Sequence, residues 1–235
     1  MNPFSSSALH AAGRYPGRSR SAPPSRLGAS VRLALAGHRP GERPEGGARP
    51  ALAVLGRSNV GKSSLLNGLL GVNVARVSAT PGRTQALYWY RVDEAFDVID
   101  CPGYGFAKAP QNVRDRLESL VERLLTGEPR PDLALLLVDG RLFPQESDRS
   151  MALFLASAGI PTVVAATKWD AVKPSARSRQ LRALAAEFEV KGTRPLLPVS
   201  AETGESLNAL VRLLRERLGA RPGGRAPSGA SVIPA

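Results

Sequence analysis

Apolar positions between residues 50 and 218 follow two periods that alternate along the chain. Short continuous apolar runs at Pro50–Leu55, Leu133–Val138 and Thr162–Ala166 predict buried strands. Leu87–Val92 and Phe96–Asp100, rich in aromatic and branched residues, flank Asp93-Glu94 and predict a hairpin. Leu196–Val199 predicts a last strand. Helices are predicted at Ser63–Leu70, Val113–Leu125, Met151–Ala158 and Arg177–Phe188. In the second of these, Val113, Leu117, Leu120, Val121 and Leu124 share one face. A final helix carries Leu207, Leu210, Val211, Leu214 and Leu218 on one stripe. Strands alternating with helices imply an α/β three-layer sandwich. Its sheet is expected to be six-stranded, mixed and mostly parallel, with one antiparallel edge strand from the hairpin and helices on both faces. Ligands of such sheets sit at the carboxyl ends of strands.

The flanks look different. Residues 1–48 are rich in Ser, Pro, Gly and Arg and show little apolar periodicity. They are expected to form a disordered basic leader, with Ser30–Ala36 as one short strand-like piece. Residues 49–218 form the folded domain, and 219–235 a flexible tail. The formal net charge is +12. Residues 1–50 hold eight Arg against Glu42 and Glu45, and Arg221 and Arg225 follow Leu218 with no acid. Residues 51–218 hold 22 basic against 18 acidic side chains, so the excess is concentrated in the ends. A polyanion such as RNA is one reading of those ends; a coding bias toward Arg, Ala, Gly and Pro is the simpler one. The leader resembles a transit peptide in lacking acids before Glu42, yet shows no Arg-rich amphipathic helix. One cysteine, Cys101, excludes an internal disulfide framework and makes a reducing compartment, the cytoplasm, the expectation. No apolar run approaches the roughly 20 residues of a membrane span. A monomer without membrane attachment is expected.

Candidate chemistry falls at the predicted strand ends. Gly56-Arg57-Ser58-Asn59-Val60-Gly61-Lys62-Ser63 fits G-x-x-x-x-G-K-[ST] between a strand and a helix. This is the phosphate loop of the P-loop NTPase sandwich. Its glycines let the backbone wrap phosphate oxygens, and its N–H groups and the helix N-terminus face the anion. Lys62 bridges terminal phosphates, and Ser63 offers a hydroxyl to Mg²⁺. The loop alone does not separate ATP from GTP. Thr167-Lys168-Trp169-Asp170 does, because the Asp170 carboxylate can accept from guanine N1–H and N2, donors that adenine lacks. The Lys168 stem can lie along the base, and Val199-Ser200-Ala201 can present an N–H to guanine O6. Asp100-Cys101-Pro102-Gly103 supplies an aspartate that can hold Mg²⁺ through water and an N–H, that of Gly103, for the γ-phosphate. Within Thr80-Pro81-Gly82-Arg83-Thr84-Gln85, either Thr80 or Thr84 can give a second hydroxyl to Mg²⁺. Tyr104 stands where Ras-like sites carry a water-orienting Gln. Arg83 and Gln85 are the nearby polar candidates for that task. Lys62, Gly103 and whichever of these threonines meets Mg²⁺ (Thr84 by the resemblance described next) are the expected catalytic groups, and slow turnover is the expectation.

Together these blocks resemble the EngB family (also called YihA or YsxC) of the TrmE–Era–EngA–EngB–Septin-like GTPases. The resemblance rests on Gly56–Asn67, on Thr80–Gln85, on Asp100-Cys101-Pro102-Gly103-Tyr104-Gly105-Phe106-Ala107-Lys108 and on Leu137-Val138-Asp139-Gly140-Arg141. It spans about residues 50–218. It implies a GTP- and Mg²⁺-dependent protein acting on large ribosomal subunit precursors, their rRNA and proteins, and needed for normal cell division and septation. It implies a nucleotide site at Gly56–Ser63, Gly82–Ala86, Asp100–Gly103, Thr167–Asp170 and Val199–Ala201, with Mg²⁺ held by Ser63 and Thr84. Asn59 stands where relatives can bind K⁺ beside the phosphates, and an amide that stabilises the loop is the other reading. The chain departs from the family pattern at Ala171, commonly Lys, and at Val199, commonly Phe. A kinase-like NTPase and a tRNA-modification GTPase module are the alternatives. The first has no use for Asp170, and the second carries extra folded domains.

Overall fold

The computed structural model describes residues 26–37, 44, 49–72, 86–105, 110–128, 130–189 and 194–219. Seven strands form its sheet: β1 (Val31–Gly37), β2 (Ala51–Gly56), β3 (Leu87–Val92), β4 (Phe96–Asp100), β5 (Leu133–Asp139), β6 (Thr162–Thr167) and β7 (Leu196–Pro198). Their order is β1-β3-β4-β2-β5-β6-β7. Five helices pack on them: α1 (Lys62–Leu70), α2 (Gln111–Thr126), α3 (Glu146–Ser157), α4 (Pro174–Phe188) and α5 (Leu207–Arg217).

The strand runs are continuously apolar because both faces are covered. On one face, Leu52 and Val54 of β2 and Leu133, Leu135 and Leu137 of β5 pack with Leu65, Leu66 and Leu69 of α1 and with Leu210, Val211 and Leu214 of α5. On the other, Ala53, Leu55, Leu136 and Val138 meet Leu120, Val121 and Leu124 of α2, Leu155 of α3 and Leu184 and Phe188 of α4. β2 pairs in parallel with both β4 and β5, and the chain turns to opposite sides of the sheet from there. A ligand crevice belongs at that reversal.

The expectation of six strands is corrected to seven, and part of the segment read as leader belongs to the fold. β1 pairs antiparallel with β3 over Val31–Gly37, with a bulge between Leu33 and Leu35. β3 is therefore the one strand that runs against the rest, but it is not the edge. The pairing is anchored from the hairpin turn. Asp93 and Glu94 have φ of 50° and 51°, the left-handed pair of a type I′ turn, which the Ala95 N–H closes on the Val92 carbonyl at 2.9 Å. The Asp93 carboxylate accepts the N–H groups of Ala29 and Ser30, both at 2.8 Å. Leu27 is fully buried in the α1–α5 core, and its N–H donates to the Leu69 carbonyl at the end of α1. The strand-like piece expected at Ser30–Ala36 is β1, but its place in the sheet was not legible, because it covers an edge and leaves Leu33 54% exposed.

Among the described residues no helix is long and apolar enough to cross a membrane.

Candidate nucleotide-binding site

The loop between β2 and α1 is built by backbone geometry first. Asn59 and Gly61 have left-handed φ of 62° and 99°. Asparagine tolerates that region, and glycine enters it freely. Gly61 caps α1 with no side-chain hydrogen bond, so no cap side chain takes up the leading N–H groups of the helix. That is an anion-binding geometry. Lys62 and Asp100, both buried, form an ion pair at the mouth of the loop. Ser63, the next residue of α1, is half-buried. Val60 closes the loop's inner side as part of the core.

Three strand ends are stitched to this loop. The Thr167 hydroxyl lies 2.6 Å from the Val60 carbonyl and 3.1 Å from that of Val138. Lys168, itself at φ 55°, donates to the Asn59 carbonyl and pairs with Asp139 at 3.0 Å. Asp139 also takes Arg141 at 2.7 and 2.9 Å. Burial pushes the Asp139 carboxyl up, but the hydrogen bonds from Arg141 and Lys168 outweigh it and leave it below the usual carboxylate range. Gly140 has no room for a side chain, since a Cβ there would lie 2.7 Å from the Thr167 carbonyl.

Asp170 is exposed, and its Oδ1 accepts the Ser200 hydroxyl at 2.6 Å, which fixes the carboxylate plane. Ser200 is fully buried. The Val199 N–H goes to the Ala166 carbonyl and that of Ser200 to the Glu205 carbonyl. Arg177 of α4 braces both loops from behind. It donates to the Trp169 carbonyl at 3.1 Å, pairs with Glu205 at 3.2 Å and stacks over the Trp169 ring at 5.8 Å.

The turn after β4 lies on the phosphate loop. Cys101, Pro102 and Gly103 are buried. Burial pushes the Cys101 thiol up to about 12. The Ser58 N–H donates to the Tyr104 carbonyl at 3.0 Å. Tyr104 does not point its hydroxyl into the loop; it donates to Asp148 of α3 at 2.9 Å. Arg57 also turns to Asp148, at 3.1 Å.

So the structure brings together Gly56–Ser63, Asp100–Gly103, Thr167–Asp170 and Val199–Ala201 at one end of the sheet. Ala86 precedes β3 and is half-buried. Gly82, Arg83, Thr84 and Gln85, with Thr80, lie outside the described residues, as do Phe106, Ala107 and Lys108. Sequence reasoning missed the supporting roles of Asp139, Asp148 and Arg177. Asp148 fell in a polar stretch read as loop, because α3 begins five residues before its apolar positions. The available signal was the pair of acids, Glu146 and Asp148, in a first helical turn. Arg177 carried no signal of its own.

Comparison with known proteins agrees with this geometry. The family model described as 50S ribosome-binding GTPase matches residues 51–168. A GTP-binding protein EngB of Thermotoga petrophila is 39% identical over 184 residues, covering 78% of this chain and 94% of its own. Its counterpart in Limosilactobacillus fermentum is 40% identical over 173 residues, covering 73% and 88%. A crystal structure of an EngB protein superposes with a TM-score of 0.60 at 29% identity, covering 73% of this chain and all of its own. With a phosphate-loop motif set between a strand and a helix, and with these relatives, the chain belongs to the EngB family of GTP-binding proteins and is a GTPase.

Proposed function

We propose that this GTPase is a slow nucleotide switch that acts in the cytoplasm on precursors of the large ribosomal subunit, contacting their rRNA and proteins, and that normal cell division and septation depend on it. The observation that carries the reading is the shared floor of the site. Lys168 ties the guanine-reading strand end to the phosphate loop, so base and phosphates are gripped by one connected unit. The name of the matching family model, a 50S ribosome-binding GTPase, supports the choice of partner.

In this reading Asp170 accepts guanine N1–H and N2. Two of the three candidate N–H groups are committed elsewhere, so the Ala201 N–H faces O6. Lys62 leaves Asp100 for the β- and γ-phosphates. The Ser63 hydroxyl and the Asp100 carboxylate are hard oxygen donors beside Lys62, and they suit Mg²⁺. Ser63 and Thr84 would hold it directly, with Asp100 acting through water. When bound, Mg²⁺ neutralises charge developing on the phosphates. Gly103 offers its N–H to the γ-phosphate. Tyr104 is engaged by Asp148 and does not orient the attacking water, which favours a turnover of about 10⁻⁴–10⁻³ s⁻¹ without a partner. Asn59 at the exposed rim of the loop is the group that would meet K⁺; faster turnover in KCl than in NaCl checks it, and equal rates dismiss it.

The decisive experiment is co-sedimentation of the full chain with ribosomal subunits in a GTP analogue or in GDP, across a salt series. Analogue-dependent binding to large-subunit precursors is expected, weakening steeply with salt where RNA phosphates are contacted. Binding that ignores the nucleotide, or that selects the small subunit, would refute the switch.

A further inference from the structure

Asp148 is 1% exposed and sits in the first turn of α3, an element that none of the nucleotide motifs includes. The partial positive charge of that helix end suits a buried carboxylate. Its two oxygens take two side chains from two different loops. Oδ1 accepts the Tyr104 hydroxyl at 2.9 Å, and Oδ2 accepts Arg57 Nε at 3.1 Å. Arg57 belongs to the phosphate loop, and Tyr104 follows the glycine of the β4 turn. Backbone contacts join the same two residues. They form a parallel bridge, with the Ser58 N–H on the Tyr104 carbonyl at 3.0 Å and the Tyr104 N–H on the Gly56 carbonyl at 3.3 Å. Between them Gly103 lies so close to the loop that an added Cβ would stand 3.1 Å from the Ser58 nitrogen. Burial, with Asp148 beside it, raises the Tyr104 hydroxyl well above its usual range, so it remains a donor.

We propose that Asp148 is a positioning residue for GTP: by holding Tyr104 and Arg57 on one carboxylate it presets the Gly103 N–H against the phosphate loop, and so raises affinity for GTP without raising affinity for GDP. The inference rests on Gly103 as the γ-phosphate contact. A preset donor spares the ligand the cost of ordering the turn, and only a ligand that reaches the turn gains. The side chains of Arg57 and Tyr104 are held outside the phosphate site by the same carboxylate, which makes them supports and not catalytic groups.

The test measures GDP and a non-hydrolysable GTP analogue binding to the full chain and to its Tyr104→Phe, Asp148→Asn and Gly103→Ala variants, with thermal unfolding alongside. Tyr104→Phe removes one hydroxyl and keeps the Arg57 pair, so it reads the link even where a harsher change fails to fold. A GTP-to-GDP affinity ratio about fivefold to tenfold lower in Tyr104→Phe and in Asp148→Asn, with GDP affinity held, is expected. Their double variant is expected to lose less than the sum of the two, since both changes act on the same carboxylate and its partners. An unchanged or higher ratio in these two, or a parallel loss of both nucleotides, overturns the proposal. If the ratio falls in Gly103→Ala but not in the other two, the Gly103 contact stands and the Asp148 role fails. If it does not fall in Gly103→Ala, the Gly103 contact fails, and the proposal with it.

Discussion

The Asp170 carboxylate, assigned above to guanine, is held by a second side chain, because Ser200 donates to it at 2.6 Å from the neighbouring strand end. Replacing acid by amide exchanges one acceptor for a donor. Asp170→Asn is expected to lower GTP affinity at least a hundredfold and to favour xanthosine triphosphate, whose C2 carbonyl accepts where guanine donates. Competition binding with the two nucleotides checks this, and an unchanged preference for GTP would remove Asp170 from the base site. Asp148 makes a prediction of a different kind. Burial raises its carboxyl above the usual range, against the opposing effects of Arg57 and Tyr104. A carboxyl with a raised folded pKa binds more protons when folded, so it subtracts stability as pH climbs from about 4 through the folded value. The stability of Asp148→Asn relative to the parent should therefore improve as pH rises across that interval, as read by denaturant midpoints. The residues assigned to the ligand could be named from the sequence because each sits in a contiguous motif. Asp148 was not, because its partners lie 91 and 44 positions away and no local pattern encodes such a meeting.

Among the elements, β1 was legible as a strand-like piece at Ser30–Ala36, but its place as a seventh strand in the sheet was not. Helices and central strands declared themselves through burial on one or both faces, whereas β1 is joined by backbone pairing and by Leu27 ahead of it. Gly28 is the tight spot of this attachment. A Cβ there would collide with Val92 and stand 2.7 Å from an Asp93 carboxylate oxygen, the group that receives Ala29 and Ser30. Gly28→Ala is expected to cost about 1–3 kcal/mol by overpacking, lowering the thermal midpoint by roughly 2–4 °C per kcal/mol. A midpoint equal to the parent's would mean that the segment yields without cost. The helix boundaries were less legible than their faces. α4 opens on Pro174 and α3 on a run of polar residues, where apolar periodicity has not begun.

For the molecule as a whole, the seven-stranded sheet changes where the chain can be cut. A chain starting at Arg26 keeps every described contact of β1 and Leu27, whereas one starting at His38 loses an edge strand and a fully buried leucine worth about 1.5–3 kcal/mol. The first should unfold at the parent's temperature and the second several degrees lower, by calorimetry. Equal midpoints would make β1 an ornament of the sheet. Only the first cut can therefore ask whether the basic leader contacts RNA, through the slope of binding against salt. Cys101 adds a probe that needs no engineering. It is the chain's single sulfhydryl and it is buried at the turn that carries Gly103, with its thiol pushed up to about 12. A disulfide reagent added at neutral pH should modify the native protein far more slowly than the urea-unfolded one, and complete reaction within the mixing time would contradict the buried turn. Whatever reaction does occur must wait for that turn to lift. The slow appearance of one colour equivalent would thus time how often this buried corner of the protein opens on its own.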